Sequence, residues 1–179
     1  GVSDAFNTGL AQSRGRFVAR MDADDIALPH RLESQLAYLA AHRDVAICGG
    51  CVEMFSESGL EGGNRRYQGW LNACRSPERI RRELFIESPI PNPTAFFRRE
   101  ALQALGGYAD PDWPEDYDLF LRADAAGMRM GKPDGVLLRW RDHDDRLTRT
   151  DDRYALHAFQ RAKIHYLVRH RIAETVPLL

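Results

Sequence analysis

The chain has 179 residues, 44% hydrophobic and 28% charged, and its 25 basic and 26 acidic side chains leave a net charge of −1. That balance fits one soluble globular domain, or at most two small ones, able to bury a core without disulfides or metal. It excludes a disordered tail, a collagen-like repeat and a disulfide scaffold, and it provides no global field that draws nucleic acid.

In chain order, residues 3–13 predict a helix, with Ser3 as its cap and Phe6 and Leu10 one turn apart. A chain that opens in mid-pattern predicts further sequence upstream of Gly1. Residues 17–21 predict a strand that ends directly in Asp22-Ala23-Asp24-Asp25. Pro29 fits the first turn of a helix to Arg43, with Leu32, Leu36 and Leu39 on one face. Residues 45–55 return to strand character. Residues 56–75, rich in Gly, Ser, Asn and Arg, read as a long loop.

Ser76-Pro77 opens a helix to Ile86, and Pro89, Pro91 and Pro93 bar regular helix from Ser88 to Thr94. Residues 94–97 predict a strand, and 99–105 a short helix closed by Gly106-Gly107. Residues 115–126 predict a helix stopped by Gly127. Strands at 128–132 and 135–141 then precede a terminal helix at 151–170. Strands alternating with helices predict an α/β sandwich around a mostly parallel sheet, whose ligands gather beyond the carboxyl ends of the strands. Residues 1–150 form the expected domain, and 151–179 an amphipathic helix and tail.

No apolar run approaches the roughly 20 residues of a membrane span. Cys48, Cys51 and Cys74 suit a reducing, cytoplasmic compartment. Cys48-Gly49-Gly50-Cys51 has zinc-ligand spacing, but no second pair follows it, and the preceding Val45-Ala46-Ile47 reads as a buried strand.

Three carboxylates in four residues after a strand repel one another unless a cation or hydrogen-bond donors neutralise them. Alternation along an extended chain puts Asp22 and Asp24 on one side. Oxygen ligands suit Mg²⁺ or Mn²⁺, with substrate phosphate completing the shell. The bland alternative is a helix-entry turn with Asp25 as cap. Glu115, Asp116 and Asp118 form a second group, where acids also complement a helix dipole. A third chemistry-bearing residue is His143, within Arg141-Asp142-His143-Asp144-Asp145; a histidine among acids is commonly a surface group.

The run Ala5-Phe6-Asn7-Thr8-Gly9, then Ala11, Gly15, Phe17-Val18, Asp22-Ala23-Asp24-Asp25 and Pro29, resembles the central part of family 2 glycosyltransferases, which have the GT-A fold. Gly106-Gly107-Tyr108 with Glu115-Asp116-Tyr117-Asp118-Leu119 and Arg122 is similar to that family's second signature. Arg139-Trp140-Arg141-Asp142-His143 is similar to its third. The likeness runs from residue 1 to about residue 150 and implies a GT-A three-layer sandwich truncated at its N-terminus, without the strand-helix-strand unit of the nucleotide pocket. Phe6 stands where the family often has Arg. No Gln lies two residues before Arg139-Trp140, which disfavours a polymer-extruding synthase.

The resemblance implies an inverting, metal-dependent enzyme that moves a sugar from a nucleotide-diphosphate donor, a UDP-sugar by preference, to a hydroxyl of a saccharide or lipid-linked acceptor in bacterial cell-surface polysaccharide or glycolipid synthesis. Asp22 would contact the ribose, Asp24 and His143 would hold Mn²⁺ or Mg²⁺, Asp116 would be the general base and Glu115 would orient sugar or acceptor. Asn7 and Gly107 complete the implied substrate-binding set. One base suffices because a metal-bound diphosphate is a good leaving group, whereas glycoside hydrolysis needs two carboxyl groups. Residues 56–75 and 89–93 are candidates for the acceptor side.

Two rivals remain. A chain lacking the nucleotide-binding start can be an inactive fragment or binding module. A phosphohydrolase with Asp22 as nucleophile is disfavoured, because Asp25 follows Asp24 in place of Thr or Val and no suitable lysine follows. The basic amphipathic terminal helix, with Arg153, Arg161, Lys163 and Arg169, fits docking onto its own domain ahead of peripheral contact with the inner face of an anionic membrane.

Overall fold

The computed structural model describes residues 1–57, 59–144 and 146–172. Helix α1 (Val2–Gln12) leads into β1 (Phe17–Ala19), β2 (Ile26–Ala27), α2 (Arg31–Ala41), β3 (Val45–Cys48) and β4 (Cys51–Phe55). Helices α3 (Gly62–Ala73) and α4 (Pro77–Glu83) precede β5 (Phe96–Arg98), α5 (Arg99–Ala104), α6 (Glu115–Ala125), β6 (Arg129–Gly131) and β7 (Val136–Arg141). Then come α7 (Leu147–Thr150) and α8 (Leu156–Tyr166), which runs on into a π-helical segment at Leu167–Ile172. No described helix is long and apolar enough to cross a membrane.

Two sheets result, in the orders β1-β5-β3-β6 and β2-β7-β4. The α/β expectation holds, but the sheets are mixed. Strand β3 runs parallel to β6, and β4 to β7, while β5 runs against both β1 and β3, and β2 against β7. A parallel pair needs a long crossover. After α3 and α4 the chain enters β5 from a 3₁₀ turn at Asn92–Thr94, in the proline-rich segment.

The expected strand at 45–55 splits at Gly49-Gly50. A Cβ there would press on Ile90 and Lys132, or on Leu137 and Thr94, so only glycine lets the chain cross between the sheets. All of β3 is buried, and Cys48, Cys51 and Cys74 are buried free thiols. Burial pushes the Cys48 thiol up to about 12, as suits a small hydrophobe.

Helix α6 is buried almost all round, its charged residues Glu115 and Asp118 included. Tyr117, Leu119, Phe120 and Leu121 are at most 1% exposed, because the sheet side and α8 both pack on it. Residues Ala158, Ala162 and Tyr166 of α8 lie one turn apart and join that burial, whereas Leu156 and Ile164 face outward. A separate 3₁₀ turn at Asp152–Tyr154, with the Asp151 side chain accepting from the Arg153 amide, interrupts the expected continuous helix. Residues 173–179 of the expected tail lie outside the described residues.

Three local expectations are corrected. Ser3 lies inside α1 and donates to the Ala109 carbonyl at 2.8 Å instead of capping the helix. On α2, Leu32 and Leu36 are exposed, and the buried face is Arg31, Gln35 and Leu39. That polar face is tolerated because Arg31 donates to the Arg20 carbonyl and Gln35 to the carbonyls of Cys48, Gly49 and Thr94. Finally, the segment read as a long loop contains α3. Its Leu71 is fully buried, with Tyr67 and Trp70 packed around it.

Candidate active site

The strand β1 ends where the acidic run begins, and the run is a turn, not an extended segment: the Asp25 amide donates to the Asp22 carbonyl at 3.4 Å. Alternation therefore does not align Asp22 with Asp24; the turn does. Carboxylate oxygens of Asp22, Asp24 and Asp25 lie within 4.8 Å of one another, the one group of three or more potential metal ligands among the described residues. Cys48, Cys51 and Cys74 form no such group.

Each carboxylate has a different companion. Asp22 accepts from Arg20 Nη1 at 2.6 Å. Asp24 Oδ2 lies 3.0 Å from His143 Nε2, so the expected metal pair meets across 119 positions of sequence. Asp25 is buried and does not cap a helix. Its Oδ1 accepts from the Arg141 amide at 2.8 Å, while Arg141 Nε donates to the Asp24 carbonyl, tying the first signature to the end of β7. Burial pushes the Asp25 carboxyl up to about 6 against the pull of that amide. Its Oδ2 is buried without a hydrogen-bond partner. A hard-oxygen cluster with an orphaned carboxylate oxygen and an adjoining imidazole suits a divalent cation such as Mg²⁺ or Mn²⁺.

The second acidic group is sorted by burial. Asp118 is held inside the protein by Arg122 Nε at 2.7 Å, Trp113 Nε1 at 2.9 Å and the Tyr166 hydroxyl at 2.8 Å. The same Arg122 donates to the carbonyls of Leu105 and Gly107, so the Gly-Gly turn and the acidic helix form one clamp. Glu115, 3% exposed, accepts from the Tyr154 hydroxyl at 2.7 Å. Asp116, half-buried, accepts from the Tyr117 amide and lines the cleft. Burial first, and the charge of Glu115 next, push its carboxyl up to about 7 against the attraction of Arg20.

The cleft holds about 580 Å³. Asp22, Asp24, Glu115, Asp116 and His143 all line it, so the two acidic groups and the histidine share one opening. Asn7 and Gly107, expected in the substrate-binding set, lie outside its lining. The Asn7 amide bridges the Tyr108 carbonyl and amide at 2.7 and 2.9 Å. Gly107 has a φ of 74°, and a Cβ there would strike Asn7 Oδ1, so the two residues fix the turn below the site.

Arg20, Glu87 and Tyr154 line the cleft although the sequence analysis gave them no site role, and Asn64 and Tyr67, within the segment 56–75 expected on the acceptor side, line it from the helix α3. Tyr67, Trp70, Leu71 and Cys74 do carry helical spacing, a signal masked by the surrounding glycines and arginines. Asn64 donates to Asp142 at 2.7 Å, so α3 forms a wall of the cleft. Arg20 leaves only the trace of a cation at a strand end.

Comparisons with known proteins bear on the family and the fold. The chain is 32% identical over 145 residues to the amylovoran biosynthesis glycosyltransferase AmsE of Erwinia amylovora, covering 81% of this chain and 52% of that protein. It is 30% identical over 141 residues to an Escherichia coli UDP-Gal:alpha-D-GlcNAc-diphosphoundecaprenol beta-1,3-galactosyltransferase, covering 79% and 49%. The chain thus spans about half the length of the curated relatives it matches.

Among solved structures, Staphylococcus aureus TarS 1-349 superposes with a TM-score of 0.66 at 16% identity over 98% of this chain and 47% of that one. The mannosyltransferase PcManGT of Pyrobaculum calidifontis, in complex with GDP-Man and Mn²⁺, gives 0.56 at 20% identity over 99% and 44%. These likenesses show the GT-A fold. The family model for glycosyl transferase family 2 matches residues 1–106, and the chain belongs to that family.

Proposed function

We propose that this chain carries the donor and base sites of an inverting, metal-dependent glycosyltransferase that acts on a nucleotide-diphosphate sugar. The carrying observation is that the Asp24–His143 pair and Asp116 open onto one cleft. Asp24 and His143, with Asp22 and Asp25 beside them, would hold Mn²⁺ or Mg²⁺. A divalent ion there supplies neutralisation of the charge that builds on a departing diphosphate.

Asp116 takes the proton of the acceptor hydroxyl as its oxygen attacks the anomeric carbon from the face opposite the leaving group. The bond from that carbon to the diphosphate oxygen breaks, and configuration inverts. A carboxylate poised near neutrality suits this role, because a general base works best with a pKa near the working pH. Asp22 contacts the ribose, and Glu115, fixed by Tyr154, orients sugar or acceptor. The walls from α3 and the proline-rich segment face the acceptor. UDP is the favoured nucleotide: TarS is known in complex with UDP-GlcNAc, and the Escherichia coli relative bears UDP-Gal in its name. Relatives named for amylovoran and O-antigen biosynthesis support a saccharide or lipid-linked acceptor.

Calorimetric titration of UDP, with and without Mn²⁺, tests the reading. Metal-dependent binding that disappears in Asp24→Asn is expected. Equal binding with and without metal, or none at all, contradicts it.

A further inference from the structure

Three arginines line the cleft, and their surroundings differ. Arg146 and Arg149 converge on Asp142 at 3.3 and 3.0 Å, where their charge is answered within the protein. Arg20 stands beside the acidic turn. Its side chain is only 9% exposed, with Nη1 on Asp22 at 2.6 Å.

The rest of the guanidinium is preorganised. Its carbon lies 4.9 Å from the centre of the Phe6 ring, which in turn packs on Tyr108 at 4.8 Å, so the aromatic face seats the cation. The backbone is pinned on both sides, the Arg20 amide donating to Ala95 at 2.8 Å and its carbonyl accepting from Arg31 at 2.6 Å. A guanidinium has five N–H donors in a rigid fork. Here the buried Nε finds no protein acceptor. A buried donor left unmatched is unfavourable, and in a cleft this arrangement awaits an acceptor oxygen from a ligand.

We propose that Arg20 binds a phosphate oxygen of the nucleotide-diphosphate donor, its open donors meeting the anion while Nη1 holds Asp22 in place. Phosphate is the fitting class because a planar, always-charged fork matches its oxygens, and the contact is charge-assisted. This rests on the reading of the cleft as a donor site.

The test compares the full chain with Arg20→Met and Arg20→Lys, each checked for an unchanged thermal transition. UDP with Mn²⁺ is titrated by calorimetry, and inorganic pyrophosphate without metal by protein NMR. Arg20→Met should weaken both ligands at least about tenfold, and Arg20→Lys, which keeps charge but not the fork, by about threefold or more. Wild-type affinity for both ligands in Arg20→Met overturns the proposal while leaving metal-dependent UDP binding, and so the donor reading, intact. Pyrophosphate binding through Arg20 without any Mn²⁺-dependent UDP binding sinks the donor reading and keeps the anion contact. A wild-type chain that binds neither ligand overturns the proposal as well. Should Arg20→Met fail to fold, undiminished affinity in Arg20→Lys decides against it.

Discussion

The two acidic groups that meet in the cleft are built from the same chemistry in opposite surroundings. On the turn after β1, Asp22 and Asp24 keep side chains 35% and 47% exposed. At the start of α6, Glu115 and Asp118 are 3% exposed, and Asp116 sits between them on a helix whose body is core. The first group is open to a cation from solvent, while the second is rationed by burial and by named donors: Tyr154 holds Glu115 at the cleft wall, Arg122 holds Asp118 inside the protein, and Asp116 faces the cleft with a raised affinity for protons. Environment, more than residue type, divides the labour.

The largest break in that division is Asp116→Asn. Transfer should fall a hundredfold to ten-thousandfold, the usual worth of a general base, while UDP binding with Mn²⁺ stays within about threefold. Near-normal turnover would remove Asp116 from its role.

Arg122→Met tests the buried side alone. It strips the cation from Asp118, whose side chain is 4% exposed, and should cost about 3 kcal/mol in denaturant unfolding. A loss below about 1 kcal/mol would mean that the clamp on the Gly-Gly turn matters little.

A pH series sharpens the comparison further. Because the base must be ionised and its carboxyl is raised to about 7, transfer should drop about tenfold per unit below that pH, and the limb should vanish in Asp116→Asn. The linkage sign follows. A folded-state pKa above the unfolded value of about 4 favours the neutral acid in the fold, a contribution complete at low pH and lost as pH rises through about 7. Asp116→Asn should therefore be more stable than wild type above pH 7, on the order of 1 kcal/mol, and indistinguishable near pH 3. A rate independent of pH between 5.5 and 7 would refute the assignment.

Much of this was legible in the sequence, and the limits have physical causes. The acidic run, the Gly-Gly turn, the α6 acids and His143 were readable because chemistry needs particular side chains at strand ends. The α2 face was misread. Leu32, Leu36 and Leu39 suggest an apolar stripe, yet the protein buries Arg31 and Gln35 to satisfy the carbonyls at the ends of β1 and β3. Periodicity counts apolar residues and cannot see carbonyls that need donors from a distant segment. Helix α3 was hidden by its three glycines and two arginines, and Arg20 because the aromatic ring that seats it comes from α1.

The smallest expected effect belongs to that α2 face. Leu36→Ala should change stability by less than about 0.5 kcal/mol, whereas Leu39→Ala, at a fully buried position, should cost about 2–4 kcal/mol. Equal losses from the two would restore the apolar stripe.

The account turns on whether the exposed turn and the buried helix start serve one ligand. Titrating Mn²⁺ with UDP into isotope-labelled protein and following amide line widths asks this directly. The signals of Asp24, His143 and Asp116 should broaden together and ahead of those at the distant β6 strand. Broadening at Asp24 and His143 that leaves Asp116 as sharp as Arg129 would contradict a shared site.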